Sequence, residues 1–175
     1  MRGNDTGTDT EPEAGRPTDS RGKRAVLLIA SFDERVVAPL PASGALTIGR
    51  GRSASRAADG EAPGELSIAL ADGLLSRKHL RIAATARGHE IEDLESRNGT
   101  FLDGRRLEGP TRLSEGCIVL FGNQVAVFRL VTERELAALD QEAGAPFGPT
   151  PTFSPALALT FSRLRKLART DAELL

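Results

Sequence analysis

At 175 residues the chain has room for one ordinary domain with tails, since a single core typically takes about 100 to 150 residues. Hydrophobic residues make up 39% and charged ones 27%, and Phe supplies all seven aromatics, so a modest aliphatic core must carry the fold. Lys and Arg total 23 against 24 Asp and Glu, a net charge of -1, which excludes a global pull toward nucleic acid or anionic lipid and makes any anion site local.

Residues 1–23 are Thr, Asp, Glu, Gly and Pro with almost nothing apolar, and they predict a disordered tail that cannot bury enough surface to offset the entropy of ordering. The tail lacks the apolar stretch of a secretory signal. From Arg24 the texture changes to short β-rich runs: AVLLIAS (25–31), RVVAPL (35–40), ALTIGR (45–50), ELSIAL (65–70), KHLRIAA (78–84), HEIEDL (89–94), GCIVLF (116–121) and QVAVFRLV (124–131). Each is bounded by Gly, Pro, Asp, Asn or Ser, with no helical period between them, which is the rhythm of an all-β sandwich. The longest purely apolar stretch, Ala25 to Ala30, is far short of the ~18 to 20 residues of a membrane helix. The chain therefore reads as soluble and cytoplasmic, with no membrane partner.

One Cys and two His exclude a disulfide framework and a closed zinc site, which needs about four ligands, and Cys117 reads as a buried small hydrophobe. No Ser-His-Asp arrangement, acid/base carboxylate pair or metal cluster can be assembled, so neither an enzyme nor a cofactor is expected. A long polar connection, Gly51 to Gly64, interrupts the strand rhythm, where binding groups often sit on a β scaffold. It carries Arg52 and Arg56, read more readily as solvated loop charges than as ligand readers. After Val131 the period turns helical in ERELAALDQEA, and the spacer GAPFGPTP (144–151) makes 132–152 a helical linker. Ser154 and Pro155 form an N-cap and first-turn pair for a helix to about residue 169, with Leu157, Phe161, Leu164 and Ala168 as its apolar stripe. Arg163, Arg165, Lys166 and Arg169 complement its negative end and read as a solvated face rather than a nucleic-acid patch. Residues 172–175 read as the start of a strand.

Three clusters stand at strand ends: Ile48-Gly49-Arg50, Leu75-Ser76-Arg77-Lys78-His79, and Asp93 to Phe101, reading DLESRNGTF. In this order and spacing, with the apolar frame around them, residues 24–131 resemble the forkhead-associated (FHA) domain. Its pattern is Gly-Arg, then Ser-x-x-His, then Asn-Gly-Thr. The resemblance implies an FHA-like β-sandwich whose loops at one end bind phosphothreonine in a partner protein or peptide, downstream of a Ser/Thr protein kinase. A phosphate near neutral pH carries roughly -1.5 to -2 charges and three acceptor oxygens, so its site needs several converging donors. Arg50 supplies a planar fork for two oxygens, Ser76 a hydroxyl, and Arg77 a backbone amide. Asn98, both donor and acceptor, suits clamping the peptide main chain. Arg97 departs from the Ser or Thr frequent at that place in the family, and offers either a second phosphate contact or an attraction for acidic flanking residues. Gly49, Gly99 and Thr100 shape the strand end and turn, and His79 braces the Ser76 and Asn98 loops.

Residues 153–175, FSPALALTFSRLRKLARTDAELL, resemble the opening of the AAA+ domain of bacterial enhancer-binding transcription activators. No G-x-x-x-x-G-K-[ST] sequence is present, so no nucleotide cradle is expected. This second resemblance implies a truncated start of that domain, and makes the chain the sensory part of a bacterial phosphorylation-responsive activator. Thr6, Thr8 and Thr10 each have an acidic residue three positions on, so the module's own tail is a candidate ligand once phosphorylated. The competing reading is a phosphate-independent interaction or oligomerisation module using a sheet face.

Overall fold

The computed structural model describes residues 22–30, 35–52, 55–57, 64–145 and 152–171. Its strands are β1 Arg24–Ala30, β2 Arg35–Pro39, β3 Ala45–Arg50, β4 Ser55–Ala57, β5 Glu65–Leu70, β6 Leu80–Thr85 and β7 Gly88–Asp93. They continue with β8 Thr100–Leu102, β9 Arg105–Arg106, β10 Thr111–Arg112, β11 Ile118–Phe121 and β12 Gln124–Val131, followed by helices α1 Glu133–Gly144 and α2 Pro155–Asp171. The strands form two sheets, ordered β2-β1-β12-β11-β8-β9 and β10-β7-β6-β3-β5-β4, all antiparallel except the β3–β5 pair. This is the FHA-like β-sandwich with a helical C-terminal segment.

The inner faces of the two sheets make the core: Leu27, Ile29, Val119, Phe121 and Phe128 from the first, Leu46, Ile48, Ile68, Leu80, Ile82 and Ile91 from the second. Burying one such side chain contributes about 1.5–3 kcal/mol, so this aliphatic layer compensates for the scarcity of aromatics. In β1 every residue from Ala25 to Ile29 is buried. The cause is cover on both faces: Leu27 and Ile29 point to the second sheet, while Val26 and Leu28 lie under α1 and α2 with Leu136, Leu139 and Ala158. The helical segment after β12 is therefore packed structure and not a free linker.

Thr132 directly after β12 starts α1 with a reciprocal cap. Its Oγ1 accepts from Glu135 N at 3.3 Å, and its own N–H donates to Glu135 Oε2 at 2.8 Å. At the start of α2, Ser154 Oγ accepts from Leu157 N at 3.4 Å. The rotation of α2 differs from the sequence expectation. Leu157 and Leu164 are 42% and 40% exposed, while Ala158 is fully buried against α1. Arg165, expected in solvent, pairs with the buried Glu142 of α1, Nη1 to Oε1 at 2.6 Å, and its other nitrogen reaches the Ala145 carbonyl. A buried carboxylate has to be matched by a cation, and this pair orients the helix at the expense of the leucine stripe.

Other differences are local. Lys78–His79 and Gly116–Cys117 lie outside the strands that the sequence placed them in, and β4, β8, β9 and β10 were not expected. Strands of two or three residues are too short for alternation to register. The acidic tail with Thr6, Thr8 and Thr10, most of the spacer and residues 172–175 lie outside the described residues.

Candidate functional site

Arg50 closes β3, which is hydrogen-bonded on one side to β6 and on the other to β5. By alternation Arg50 shares the face of Leu46 and Ile48, but it lies past the end of the core and its side chain is exposed. Its backbone N–H donates to Ser76 O at 2.9 Å, and the next residue, Gly51, donates to Leu70 O at 2.9 Å. One position earlier, Gly49 is crossed by the loop 71–79. A Cβ there would stand 1.9 Å from Arg77 O and 2.6 Å from Arg77 C, so only glycine permits the crossing.

That loop is fastened at both ends. The Asp72 carboxylate accepts from Leu74 N at 2.9 Å, Asn123 N at 2.7 Å, Asn123 Nδ2 at 3.1 Å and Gln124 Nε2 at 3.1 Å, tying the loop to the β11–β12 turn. Burial alone raises the Asp72 carboxyl, but the bonds from Asn123, Leu74 and Gln124 outweigh it and hold it below the ordinary carboxylate value. At the other end Ser76 N donates to His79 Nδ1 at 3.1 Å. Nδ1 is thus an acceptor and the ring proton sits on Nε2, which faces Gly99 O at 3.3 Å. The ring is fully buried and lies tilted against Phe121, centroids 6.0 Å apart.

The third loop, 94–99, is shaped by Asp93. It accepts from Ser96 N at 2.8 Å, Ser96 Oγ at 2.6 Å and Thr100 Oγ1 at 2.7 Å, while Ser96 Oγ accepts from Gly99 N at 2.9 Å. Burial raises this carboxyl too, and the bonds from Ser96 and Thr100 outweigh it and bring it below its usual range. Gly99 has φ 77°, the left-handed region that glycine enters without steric cost. The loop reaches Ser76 through Arg97 N, which donates to Ser76 Oγ at 3.1 Å. A hydroxyl that accepts there keeps its own proton to donate outward. Asn98 Nδ2 donates to Leu74 O at 2.7 Å, joining the two loops.

Arg50, Ser76, Arg77 and Arg97 line one cavity of about 660 Å³ together with Gly73, Leu74, Leu75 and Lys78. A smaller groove of about 290 Å³ adjoins it, sharing Arg50, Arg77 and Lys78 and running along Thr47, Ser67 and Glu65. Asn98 is not among the lining residues, its amide being engaged with Leu74. Arg52 is exposed and lines neither space, and Arg56 lies on β4 opposite Ile68, its side chain outside the described residues. The sequence did not single out Asp72 or Leu74, and Asp93, at the head of the third cluster, was given no role. The Asp-Gly pair after β5 and the Asp-x-x-Ser spacing at 93–96 are the signals that could have found the two carboxylates. Among the described residues no cluster of His, Cys, Asp and Glu is suited to a metal ion, and no helix is long and apolar enough to cross a membrane.

A search of curated proteins finds no match to this sequence. Among solved structures, the FHA domain of the CT664 protein from Chlamydia trachomatis is similar at 24% identity and TM-score 0.48, covering 61% of this chain and 96% of that one. The FHA domain of an Arabidopsis thaliana hypothetical protein is similar at 21% identity and TM-score 0.47, covering 69% and 96%. Mycobacterium tuberculosis EmbR in complex with a low-affinity phosphopeptide is similar at 23% identity and TM-score 0.46, covering 61% of this chain and 25% of that one. The family model of the FHA domain matches residues 46–122, the stretch that holds all three loops at the corner. The β-sandwich of this chain is FHA-like, and its residues 46–122 are similar to the FHA family.

Proposed function

We propose that this FHA-like domain binds a phosphothreonine-containing peptide at the corner where Arg50, Ser76 and Arg97 meet, and acts as a non-catalytic reader of Ser/Thr kinase signalling. The observation that carries the reading is the convergence on Ser76. Arg50 N bonds its carbonyl, Arg97 N bonds its hydroxyl oxygen, and Ser76, which lines the cavity, keeps its hydroxyl proton to donate. The Arg50 guanidinium takes two phosphate oxygens, and the Ser76 hydroxyl and Arg77 amide take the third. Asn98 clamps the peptide main chain with its carbonyl oxygen, or with its amide once that leaves Leu74. Gly49, His79, Gly99 and Thr100 hold the loops in place.

The same reading makes the chain a cytoplasmic sensory module of a bacterial transcription activator, supported by the likeness of its residues 153–175 to the opening of an AAA+ domain. The exposed row Ile118, Leu120 and Val125 on the outer face of the first sheet favours the second reading, phosphate-independent association through that face. Calorimetric titration of a phosphothreonine peptide, before and after phosphatase treatment, separates the two. The first reading requires that binding vanish with the phosphate and weaken by about 2–5 kcal/mol in Arg50→Ala, as for loss of one partner of a desolvated charge pair. Binding that survives both changes sinks it.

A further inference from the structure

The corner holds more positive charge than one phosphate neutralises. Arg50, Arg77 and Arg97 all line the larger cavity, and among the described residues no carboxylate lines it. Among the described residues none of these three side chains forms an ion pair or hydrogen bond. The surplus is not inherited from a basic chain, since the protein as a whole carries a net charge of -1. It is also fixed in place. Arg50 and Arg97 are each one backbone hydrogen bond from Ser76, and Arg77 is its chain neighbour, so three guanidinium stems start around a single residue. A phosphate monoester offsets roughly two unit charges. The remainder attracts a further anion, because like charges gathered at one corner of the surface repel one another until one arrives.

We propose that Arg97, with the Arg77 side chain, forms a second anionic subsite, so that the favoured ligand carries a further negative group within about two residues of the phosphothreonine. This rests on the phosphothreonine reading of the same corner. The spacing follows from the cavity, whose volume of about 660 Å³ corresponds to a space roughly 9 Å across. Two to three extended residues at about 3.3 Å each fill that span. An Asp or Glu side chain and a second phosphate share the chemistry, and both fit.

The test is a set of peptides of one sequence, each with a single phosphothreonine: one flanked by alanines, one with Glu at the first and second flanking positions, and one with a second phosphothreonine. Kd is measured at low and at physiological salt for the natural protein and for Arg97→Gln, with circular dichroism and melting temperature confirming that the variant is folded. The expected result is about tenfold tighter binding of the doubly anionic peptides, a gain that shrinks with salt and collapses toward unity in Arg97→Gln. The Glu and second-phosphate arms identify which source the subsite prefers. Equal Kd for all three peptides, or a gain that persists in Arg97→Gln, overturns the subsite while leaving the phosphothreonine reading intact. Failure of every phosphorylated peptide to bind overturns both.

Discussion

The backbone N–H of Ser76 donates to Nδ1 of His79 at 3.1 Å, and the other nitrogen of the same ring faces Gly99 O at 3.3 Å. One buried imidazole therefore fixes two loops with a single tautomer. His79→Ala removes both bonds and leaves a cavity, costing about 2–5 kcal/mol of stability and weakening phosphopeptide binding with it. Thermal unfolding alongside titration checks this, and a variant that melts normally yet binds poorly would argue for direct ligand contact by the ring.

Gly49→Ala is expected to be as damaging although it adds one methyl group. The new Cβ would lie 1.9 Å from the Arg77 carbonyl oxygen, and backbone cannot yield as a side-chain tip does. Either β3 or the 71–79 loop must shift, at about 3 kcal/mol or more. Amide exchange should show faster opening at Arg50 and His79. Unchanged protection there would mean that the loop has room to retreat.

Asp72 acts on the site from a distance. Asp72→Ala leaves Leu74 N, Asn123 N and Gln124 Nε2 without their shared acceptor and releases the loop from the β11–β12 turn. The expected loss is about 2–4 kcal/mol, since each buried donor left unsatisfied costs about 1–3 kcal/mol and part of that is recovered by water. Phosphopeptide affinity should drop even though Asp72 makes no ligand contact, a split readable as weaker binding with unchanged salt dependence.

Acid should undo the site before other parts of the sandwich. Asp72 and Asp93 both lie below the ordinary carboxyl value of 3.8 in the folded protein. Under acid the unfolded chain therefore binds protons that the native state still refuses, and stability falls as pH falls. Their contribution is complete above about pH 5, declines below 3.8, and is gone once pH has passed through the depressed native values. Denaturant melts from pH 6 to pH 2 should show a smaller acid loss in Asp93→Asn than in the natural protein.

The helical cover has its own test. Glu142→Ala removes the partner of Arg165 at the α1–α2 contact, and breaking a buried pair typically costs about 3–5 kcal/mol. Hydrogen exchange should rise across α2 first. Glu142→Gln, which keeps hydrogen-bonding capacity, should lose less protection than the alanine variant.

Much of this could be read from the sequence because its marks are local. The alternating strands from Arg24 to Val131 announced the sandwich, and Gly49-Arg50, Ser76 and Asn98 announced three loops at strand ends. What stayed hidden depends on side chains meeting across long separations. Asp72 and Asn123 are 51 residues apart, and nothing in either neighbourhood indicates the other. The α2 rotation was misjudged for a similar reason: the leucine spacing was visible, whereas the demand of Glu142 for a cation was not. The engagement of Asn98 with Leu74 is also a matter of loop geometry that composition does not encode.

Because β3 is an interior strand, zipped to β5 on one flank and β6 on the other, its terminal residue is a fixed datum for everything built around it. A ligand pulling on Arg50 works against the β5 ladder on one side and the bond from Arg50 N to Ser76 O on the other. Of the connection that follows, Ser55–Ala57 pairs with β5 at the edge of the same sheet, so the chain returns to the ladder it has just left. A strand end held this way sets where its neighbours can stand, and Gly49, Ser76 and Arg77 take their places from it.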